Sequence, residues 1–250
     1  MKIEEVKKSF AMPIHSPSFS KGPYQFRDRE YLIINYETDL EALKRVVPEP
    51  LELDLTDGPI VKYEFINMPD SDSFGSYCES GQVIPVLFNK KKGSYVHLMF
   101  LDDIAPIVGG REIWGFPKKY AQPQFRVDKI NKDCLIGILK YGELEVARAT
   151  MGYKYEQLDT KPVQESLGQD NFLMKVIPDV DGSPIICQLV KYNLINTSVK
   201  EAWTGPVGLQ LFSHALAPVA DLPVKRIVSG LHFKSNLTIS KGEVVFDYLK

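Results

Sequence analysis

The sequence has few of the features that mark secreted, membrane or metal-binding proteins. It has only three cysteines, Cys78, Cys134 and Cys187, which are widely spaced and form no Cys-x-x-Cys pair. An odd and scattered set predicts neither disulfides nor a zinc site and favours a reducing compartment, so we expect a cytoplasmic protein. No apolar run approaches the roughly 18 residues of a membrane span, and the charged first residues do not form a signal peptide. We therefore expect no membrane partner.

An excess of charge of either sign is also missing. Thirty Lys and Arg residues face 32 Asp and Glu residues, which leaves a net charge of −2. This balance gives no electrostatic reason to expect a nucleic-acid partner. The four histidines are scattered without a His-Glu-x-x-His pattern, and the glycines at 109, 110 and 115 match neither a phosphate loop nor a dinucleotide fingerprint. We therefore expect no metal, no nucleotide and no other cofactor.

Strand patterns fill most of the chain. Segments of strand length are rich in β-branched and aromatic residues, at 31–36, 60–67, 83–88, 95–101, 135–141, 143–151, 184–197 and 242–248. Glycines at 58, 142, 182 and 242 lie where hairpin turns need positive φ. The pattern predicts a mainly antiparallel sheet that curls into a barrel or splits into two packed layers.

Helix signals are few. Thr38-Asp39-Leu40-Glu41 has the capping-box pattern, and Pro48 would end the helix that follows it. A second short helix is predicted at 212–217, before Pro218. With no internal repeat and no Gly/Ser-rich linker, residues 1–250 are expected to form one α+β domain with a few flanking helices.

Two adjacent lysines, Lys118 and Lys119, follow a stretch with little charge. Between positions 104 and 117 only Arg111 and Glu112 are charged. Desolvation favours the neutral form of a lysine amine, and a neutral amine can attack a carbonyl carbon to form a Schiff base. The alternative is a pair of ordinary surface lysines. The apolar and aromatic surroundings make Lys118 the candidate nucleophile.

Lys119 is a further candidate catalytic residue, although neighbouring residues in extended backbone point to opposite sides. At ~9 Å and an effective dielectric constant of ~40, repulsion between two ammonium groups is about 1 kcal/mol. We therefore expect burial of Lys118 to matter more than the charge of Lys119, which takes a secondary or structural role.

Three further charged residues are candidates. Glu64 lies in a strand pattern on one face with Lys62, and Glu79 precedes the apolar run at 83–88. Both carboxylates could transfer protons. On the residues alone, an ion pair with a lysine on the strand surface is the simpler explanation for Glu64, and a loop carboxylate or helix-cap partner is the simpler one for Glu79. Arg29 could hold a carboxylate with two parallel hydrogen bonds, or form surface ion pairs with its acidic neighbours.

Several segments of unusual neighbours occur together from about Pro17 onward. They are Arg29-Glu30-Tyr31, Tyr77-Cys78-Glu79-Ser80-Gly81-Gln82, Pro117-Lys118-Lys119, Met151-Gly152-Tyr153-Lys154, Glu201-Ala202-Trp203-Thr204-Gly205-Pro206 and Asp247-Tyr248-Leu249-Lys250. In this order they resemble the acetoacetate decarboxylase family.

The resemblance implies a lyase that converts acetoacetate, a β-keto acid, to acetone and carbon dioxide without a cofactor. It places the imine-forming amine at Lys118 and its neighbour at Lys119. It further assigns Glu79 and Glu64 to the acidic positions of the site and Arg29 to the substrate carboxylate. A β-rich cone or barrel assembled as a homo-oligomer, with a dodecamer as the expected form, is also implied.

Two other functions are compatible with these residues. One is a different Schiff-base reaction on the same fold, such as aldol or dehydratase chemistry on another oxo-acid. The other is a non-catalytic binding module for small keto acids. Cys78 and Trp114-Gly115-Phe116 depart from the family pattern beside the candidate site and leave the preferred substrate open.

Overall fold

The computed structural model describes residues 1–250 and is mainly β. The strands are β1 (Tyr24–Glu37), β2 (Glu52–Leu53), β3 (Ile60–Met68), β4 (Asp70–Ser71), β5 (Tyr77–Phe88), β6 (Lys91–Leu101), β7 (Lys118–Tyr120), β8 (Gln122–Val127), β9 (Cys134–Tyr141), β10 (Leu144–Gly152), β11 (Glu156–Gln157), β12 (Asp170–Pro178), β13 (Pro184–Tyr192), β14 (Leu194–Thr204), β15 (Val207–Leu211), β16 (Arg226–Ile239) and β17 (Glu243–Asp247). The α-helices are α1 (Ile3–Val6), α2 (Leu40–Val46), α3 (Ile104–Gly109) and α4 (Thr160–Leu167). None of these helices is long and apolar enough to cross a membrane.

The strands form two sheets. The larger has 13 strands in the order β11-β14-β16-β1-β3-β5-β6-β12-β13-β17, with β2 beside β5, β4 beside β1 and β7 beside β6. The smaller has the order β15-β10-β9-β8. All pairings are antiparallel except those of β6 with β7 and with β12. The prediction of a mainly antiparallel protein with few helices is confirmed.

The larger sheet curls strongly. Strand β13 ends at Tyr192 and β14 begins at Leu194, so only Asn193 separates them along the chain. In the sheet, however, six other strands lie between them. The sheet must therefore bend round until its two ends approach, which is the usual fate of an open sheet of more than ~10 strands. No ladder of hydrogen bonds joins β13 to β14, so the sheet is curled but is not a closed barrel.

The two faces of the large sheet have different partners. One face packs against the small sheet and forms a core of 27 buried residues. The concave face encloses a second cluster of 19 buried residues. Alternation along β1 illustrates the division, since Leu32 and Ile34 belong to the first cluster and Tyr31 to the second. From Arg29 onward, residues at odd positions of β1 therefore point into the concave side. Before the irregularity between Phe26 and Arg29 the even residues Tyr24 and Phe26 do so instead.

Some local predictions need correction. The helix α2 is capped by Asp39, whose side chain accepts a hydrogen bond from the Ala42 amide at 3.1 Å, and not by Thr38. No helix forms at 212–217, and a 3₁₀ turn follows at Val219–Asp221 instead. The Phe212 amide donates to the Val146 carbonyl at 2.9 Å and so continues the sheet, and Pro218 disfavours helical backbone at the residue before it. The predicted strand at 184–197 is two strands that separate at Asn193.

Candidate active site

An irregular helix places Lys118 on the concave side. Helix α3 continues into a π-helical turn, Gly110–Trp114, which ends at Gly115 with a left-handed φ of 88°. The chain turns at Gly115 and then enters β7, which pairs with β6 so that Lys118 lies opposite Met99. Arg111 then donates a hydrogen bond to the Lys118 carbonyl at 3.2 Å and fixes the backbone there. Single π turns of this kind are frequent at functional sites.

Gly110 is a glycine because the Lys118 side chain lies against it. A Cβ atom built on Gly110 would be 2.8 Å from Lys118 Cδ, 3.1 Å from Cε and 3.3 Å from Nζ. Such contacts are shorter than van der Waals distances, so a methyl group would displace the flexible end of the lysine. The backbone at Gly110 itself is ordinary right-handed helix.

Replacing Gly110 with alanine should therefore separate activity from stability. We expect kcat to fall roughly 100-fold, because a displacement of about 1 Å at a reacting group can cost that much. Thermal stability should be unchanged or slightly raised, since alanine is favoured over glycine in a helix. Gly168→Ala is the matched control, because its Cβ would meet only ordinary contacts from 3.5 Å. Equal activity in the two variants would show that the Lys118 position is not critical.

A buried carboxylate lies between two cations. Glu79 on β5 has Oε1 2.8 Å from Lys118 Nζ and Oε2 3.7 Å from an Arg29 guanidinium nitrogen. All three side chains are less than 10% exposed. The group thus combines one negative charge with two cations in a medium that screens charge poorly, where such interactions are far stronger than in water.

Aromatic rings cover both cations. The Arg29 guanidinium carbon lies 5.2 Å from the Phe26 ring centroid and 4.9 Å from that of Tyr31. Lys118 Nζ lies 5.0 Å from the centroid of Phe116. Rings at these distances stabilise a cation while excluding water. The Nε atom of Arg29 has no hydrogen-bond partner within the protein, so it is free to donate to a ligand.

Glu64 is the second carboxylate of the site. Burial raises the pKa of its carboxyl group above the ordinary value; Lys62 and Arg29 oppose this shift, and the negative charge of Glu79 adds to it. A carboxyl group with a raised pKa holds its proton more readily, so it can give a proton as well as take one. Glu64 is thus suited to proton transfer.

Three tyrosines add hydroxyl groups to the site. Burial raises the pKa values of Tyr31, Tyr77 and Tyr192, so their hydroxyl groups keep their protons at neutral pH. The Tyr31 hydroxyl has no hydrogen-bond partner within the protein. It can therefore donate a hydrogen bond to a bound molecule.

These side chains surround one cavity of about 100 Å³. On a scale where a single water molecule needs roughly 10–15 Å³, this volume suits a ligand of a few heavy atoms. The charged lining residues are Arg29, Lys62, Glu64, Glu79 and Lys118, and the aromatic ones are Phe26, Tyr31, Tyr77, Phe116 and Tyr192. No group of three or more His, Cys, Asp or Glu side chains is arranged to hold a metal ion.

The structure brings together four of the five residues predicted from the sequence. Lys118, Glu79, Glu64 and Arg29 line the cavity, and Lys119 does not. The Lys119 amine donates a hydrogen bond to the Leu216 carbonyl and lies 5.2 Å from the centroid of the Tyr141 ring, on the side of the small sheet. The two lysines point in opposite directions, as alternation along a strand requires.

Sequence reasoning missed several members of the site. Tyr31 follows Arg29 by two residues, so strand alternation alone could have placed it on the cavity face. Alternation did place Lys62 on one face with Glu64, but Lys62 was given no role in the site. Gly110 and Tyr192 gave no local signal, because their positions depend on the path of the chain between distant strands.

Comparison with known proteins shows the family of the chain. The family model for acetoacetate decarboxylases matches residues 11–249. The chain belongs to the acetoacetate decarboxylase family, which confirms the resemblance seen in the sequence motifs.

Individual relatives match over nearly their whole length. Acetoacetate decarboxylase 1 of Bradyrhizobium diazoefficiens is 55% identical over 250 residues, which cover 100% of this chain and 98% of the relative. The crystal structure of acetoacetate decarboxylase from Legionella pneumophila is 50% identical, with a TM-score of 0.91, covering 97% of this chain and 95% of that one. An enduracididine biosynthesis enzyme has a TM-score of 0.84 over 96% of this chain and 95% of that chain, but at 19% identity it shows a shared fold alone.

Proposed function

We propose that the protein decarboxylates acetoacetate to acetone and carbon dioxide through a Schiff base on Lys118. One observation carries this proposal: the Lys118 amine lies in a small buried cavity, 2.8 Å from the carboxylate of Glu79. The identity of more than 50% to proteins named acetoacetate decarboxylase supports the choice of substrate.

The reaction begins with attack of the neutral Lys118 amine on the ketone carbon of acetoacetate. Loss of water gives a cationic imine. The bond between the α-carbon and the carboxylate then breaks, carbon dioxide leaves, and the electron pair moves into the imine to give an enamine. Protonation of the enamine carbon and hydrolysis release acetone and restore the Lys118 amine. One proton is consumed in each cycle, in agreement with the overall equation.

Glu79 is placed to transfer protons to and from the Lys118 nitrogen, because its carboxylate lies at hydrogen-bonding distance from that atom. Glu64, with its raised pKa, is the second proton-transfer group, acting at the enamine carbon. Arg29 holds Glu79 in place and faces the substrate carboxylate. Loss of carbon dioxide removes a negative charge from the neighbourhood of Glu79 and Glu64, so both carboxylates favour that step.

Lys119 has a structural role in this proposal, since it anchors β7 to the Leu216 carbonyl. For Lys119→Met we expect a loss of stability of about 1 kcal/mol, the usual value of one hydrogen bond, and some loss of activity. The shape of the pH–rate profile should not change, and Lys119→Arg should restore activity because it keeps a donor. Full recovery of Lys119→Met at alkaline pH would contradict this role, because it would show that the Lys119 charge activates Lys118.

The proposal also covers the cellular compartment, the oligomeric state and the domain organisation. We place the protein in the cytoplasm, in keeping with three unpaired cysteines, and expect it to act as a homo-oligomer, in the form of a dodecamer. Residues 1–250 are proposed to work as one domain, since strands from the whole length of the chain line a single cavity.

The test is a product analysis with purified protein. Acetoacetate should yield acetone and carbon dioxide in equal amounts, measured by NMR and gas evolution, without added metal or cofactor. Pyruvate with an aldehyde should give no condensation product. Aldol or dehydration products, or binding of acetoacetate without turnover, would contradict the proposed function.

A further inference from the structure

Lys62 is the one cation of the cavity without a carboxylate partner. Arg29 and Lys118 share Glu79, whereas the Lys62 amine has no carboxylate within 4.0 Å. Its backbone is paired in the sheet, but its side chain makes no hydrogen bond within the protein. Its side chain is only half-buried, whereas those of Arg29 and Lys118 are buried. The positive charge of Lys62 is therefore available to an anion.

Lys62 also marks the mouth of the cavity. Beside the buried cavity lies an open polar groove of about 560 Å³, and only Lys62 and Ser166 line both. Ser166 lies near the end of helix α4 and is exposed. A small molecule that passes from the groove to Lys118 would thus move between Lys62 and the end of α4.

The position of Lys62 on its strand directs its charge inward. Lys62 and Glu64 are two residues apart on β3, so both side chains stand on the concave face, ~7 Å apart at two strand rises. An anion at the mouth would meet Lys62 first and the inner carboxylates later. A carboxylate would thus be attracted by Lys62 at the entrance. Deeper in the cavity it would meet Arg29 together with the destabilising charges of Glu79 and Glu64.

We infer that Lys62 is the substrate-capturing residue at the mouth of the cavity, which binds the carboxylate of the β-keto acid as it enters from the groove. The inference rests on the proposed function for the identity of the anion. Lys62 then contributes to the affinity for substrate, while Lys118 and Glu79 take part in the chemical step.

Lys62→Met should raise KM for acetoacetate about tenfold, the equivalent of 1.4 kcal/mol, while kcat changes by less than about threefold. Lys62→Arg should keep a KM close to that of the wild type. The dependence of kcat/KM on ionic strength should weaken in Lys62→Met only, because the steering charge is lost. Lys92→Met is the matched control, since Lys92 lines the groove but not the cavity and is paired with Asp54 at 3.1 Å.

A neutral analogue separates capture of the carboxylate from other effects. 2,4-Pentanedione has a ketone where acetoacetate has its carboxylate, so its rate of addition to Lys118 should be equal in Lys62→Met and wild type. A tenfold change in the rate at which 2,4-pentanedione adds to Lys118, or an unchanged KM for acetoacetate, would overturn the inference. The concentration of acetoacetate that protects Lys118 from 2,4-pentanedione measures binding without turnover, and it should be higher in Lys62→Met. This measurement works even if the wild type shows no turnover, so the inference and the proposed function can fail separately.

Discussion

Lys118→Met should reduce acetoacetate decarboxylation to near the uncatalysed rate. Methionine has a similar length but carries no amine, so neither the imine nor the enamine can form. Enzymes commonly accelerate reactions by 10⁶-fold or more, and we expect at least about 10⁴-fold of that to be lost in kcat. The protein should remain folded, because the apolar side chain replaces a buried cation beside Phe116 and Glu79 keeps Arg29 as a partner. The measurement is kcat with acetoacetate, alongside thermal unfolding.

Two controls make this result specific. Lys92→Met removes an exposed lysine with the same substitution and should keep wild-type activity. Lys118→Arg keeps a positive charge beside Glu79 but cannot act as an amine nucleophile, since a guanidinium group stays protonated. It should be as inactive as Lys118→Met. Residual activity within 100-fold of wild type in either Lys118 variant would exclude a Schiff base on this residue.

Glu79→Gln has the second largest expected effect, a fall in kcat of roughly 10²–10⁴-fold, the usual contribution of a general acid–base group. The amide keeps the shape of the side chain but cannot exchange protons with the Lys118 nitrogen. It also leaves two buried cations without the charge between them, so we expect lower thermal stability as well.

Glu64→Gln is the control variant for Glu79→Gln. Glu64 lines the same cavity but makes no ion pair with Lys118, so its loss should cost less activity than the loss of Glu79. Because burial already raises the pKa of Glu64, a neutral side chain there should also be tolerated better by the fold. A Glu79→Gln variant as active as Glu64→Gln would contradict the role of Glu79.

Local patterns predicted the strands that alternate cleanly and missed those that do not. The segments at 60–67 and 135–141 were predicted close to their observed bounds, because β-branched and aromatic residues fill them. Strand β16 was missed although it lies between β1 and β14 in the large sheet. Ser229, Gly230 and Asn236 interrupt it, and such residues favour turns when read locally. Pairing on both sides overrides that preference.

Four of the five charged residues that line the cavity were predicted from the sequence, but their arrangement was not. Motifs pointed to Lys118, Glu79, Glu64 and Arg29, and alternation correctly separated the direction of Lys118 from that of Lys119. The ion pair between Glu79 and Lys118 joins β5 to β7, and the curl of the sheet brings Tyr192 to the same cavity. Contacts of this kind depend on how distant strands meet in the sheet, which residue order within one segment does not record.

The most direct test of the central claim is borohydride reduction in the presence of acetoacetate, followed by mass mapping of peptides. Borohydride reduces an imine to a stable amine, so it records which nitrogen was attached to substrate. We expect an isopropyl group on Lys118 and on no other lysine, which would show both the imine and the loss of carbon dioxide. An adduct on Lys118 that still carries its carboxylate would point to a different reaction, and an unmodified Lys118 would contradict the mechanism.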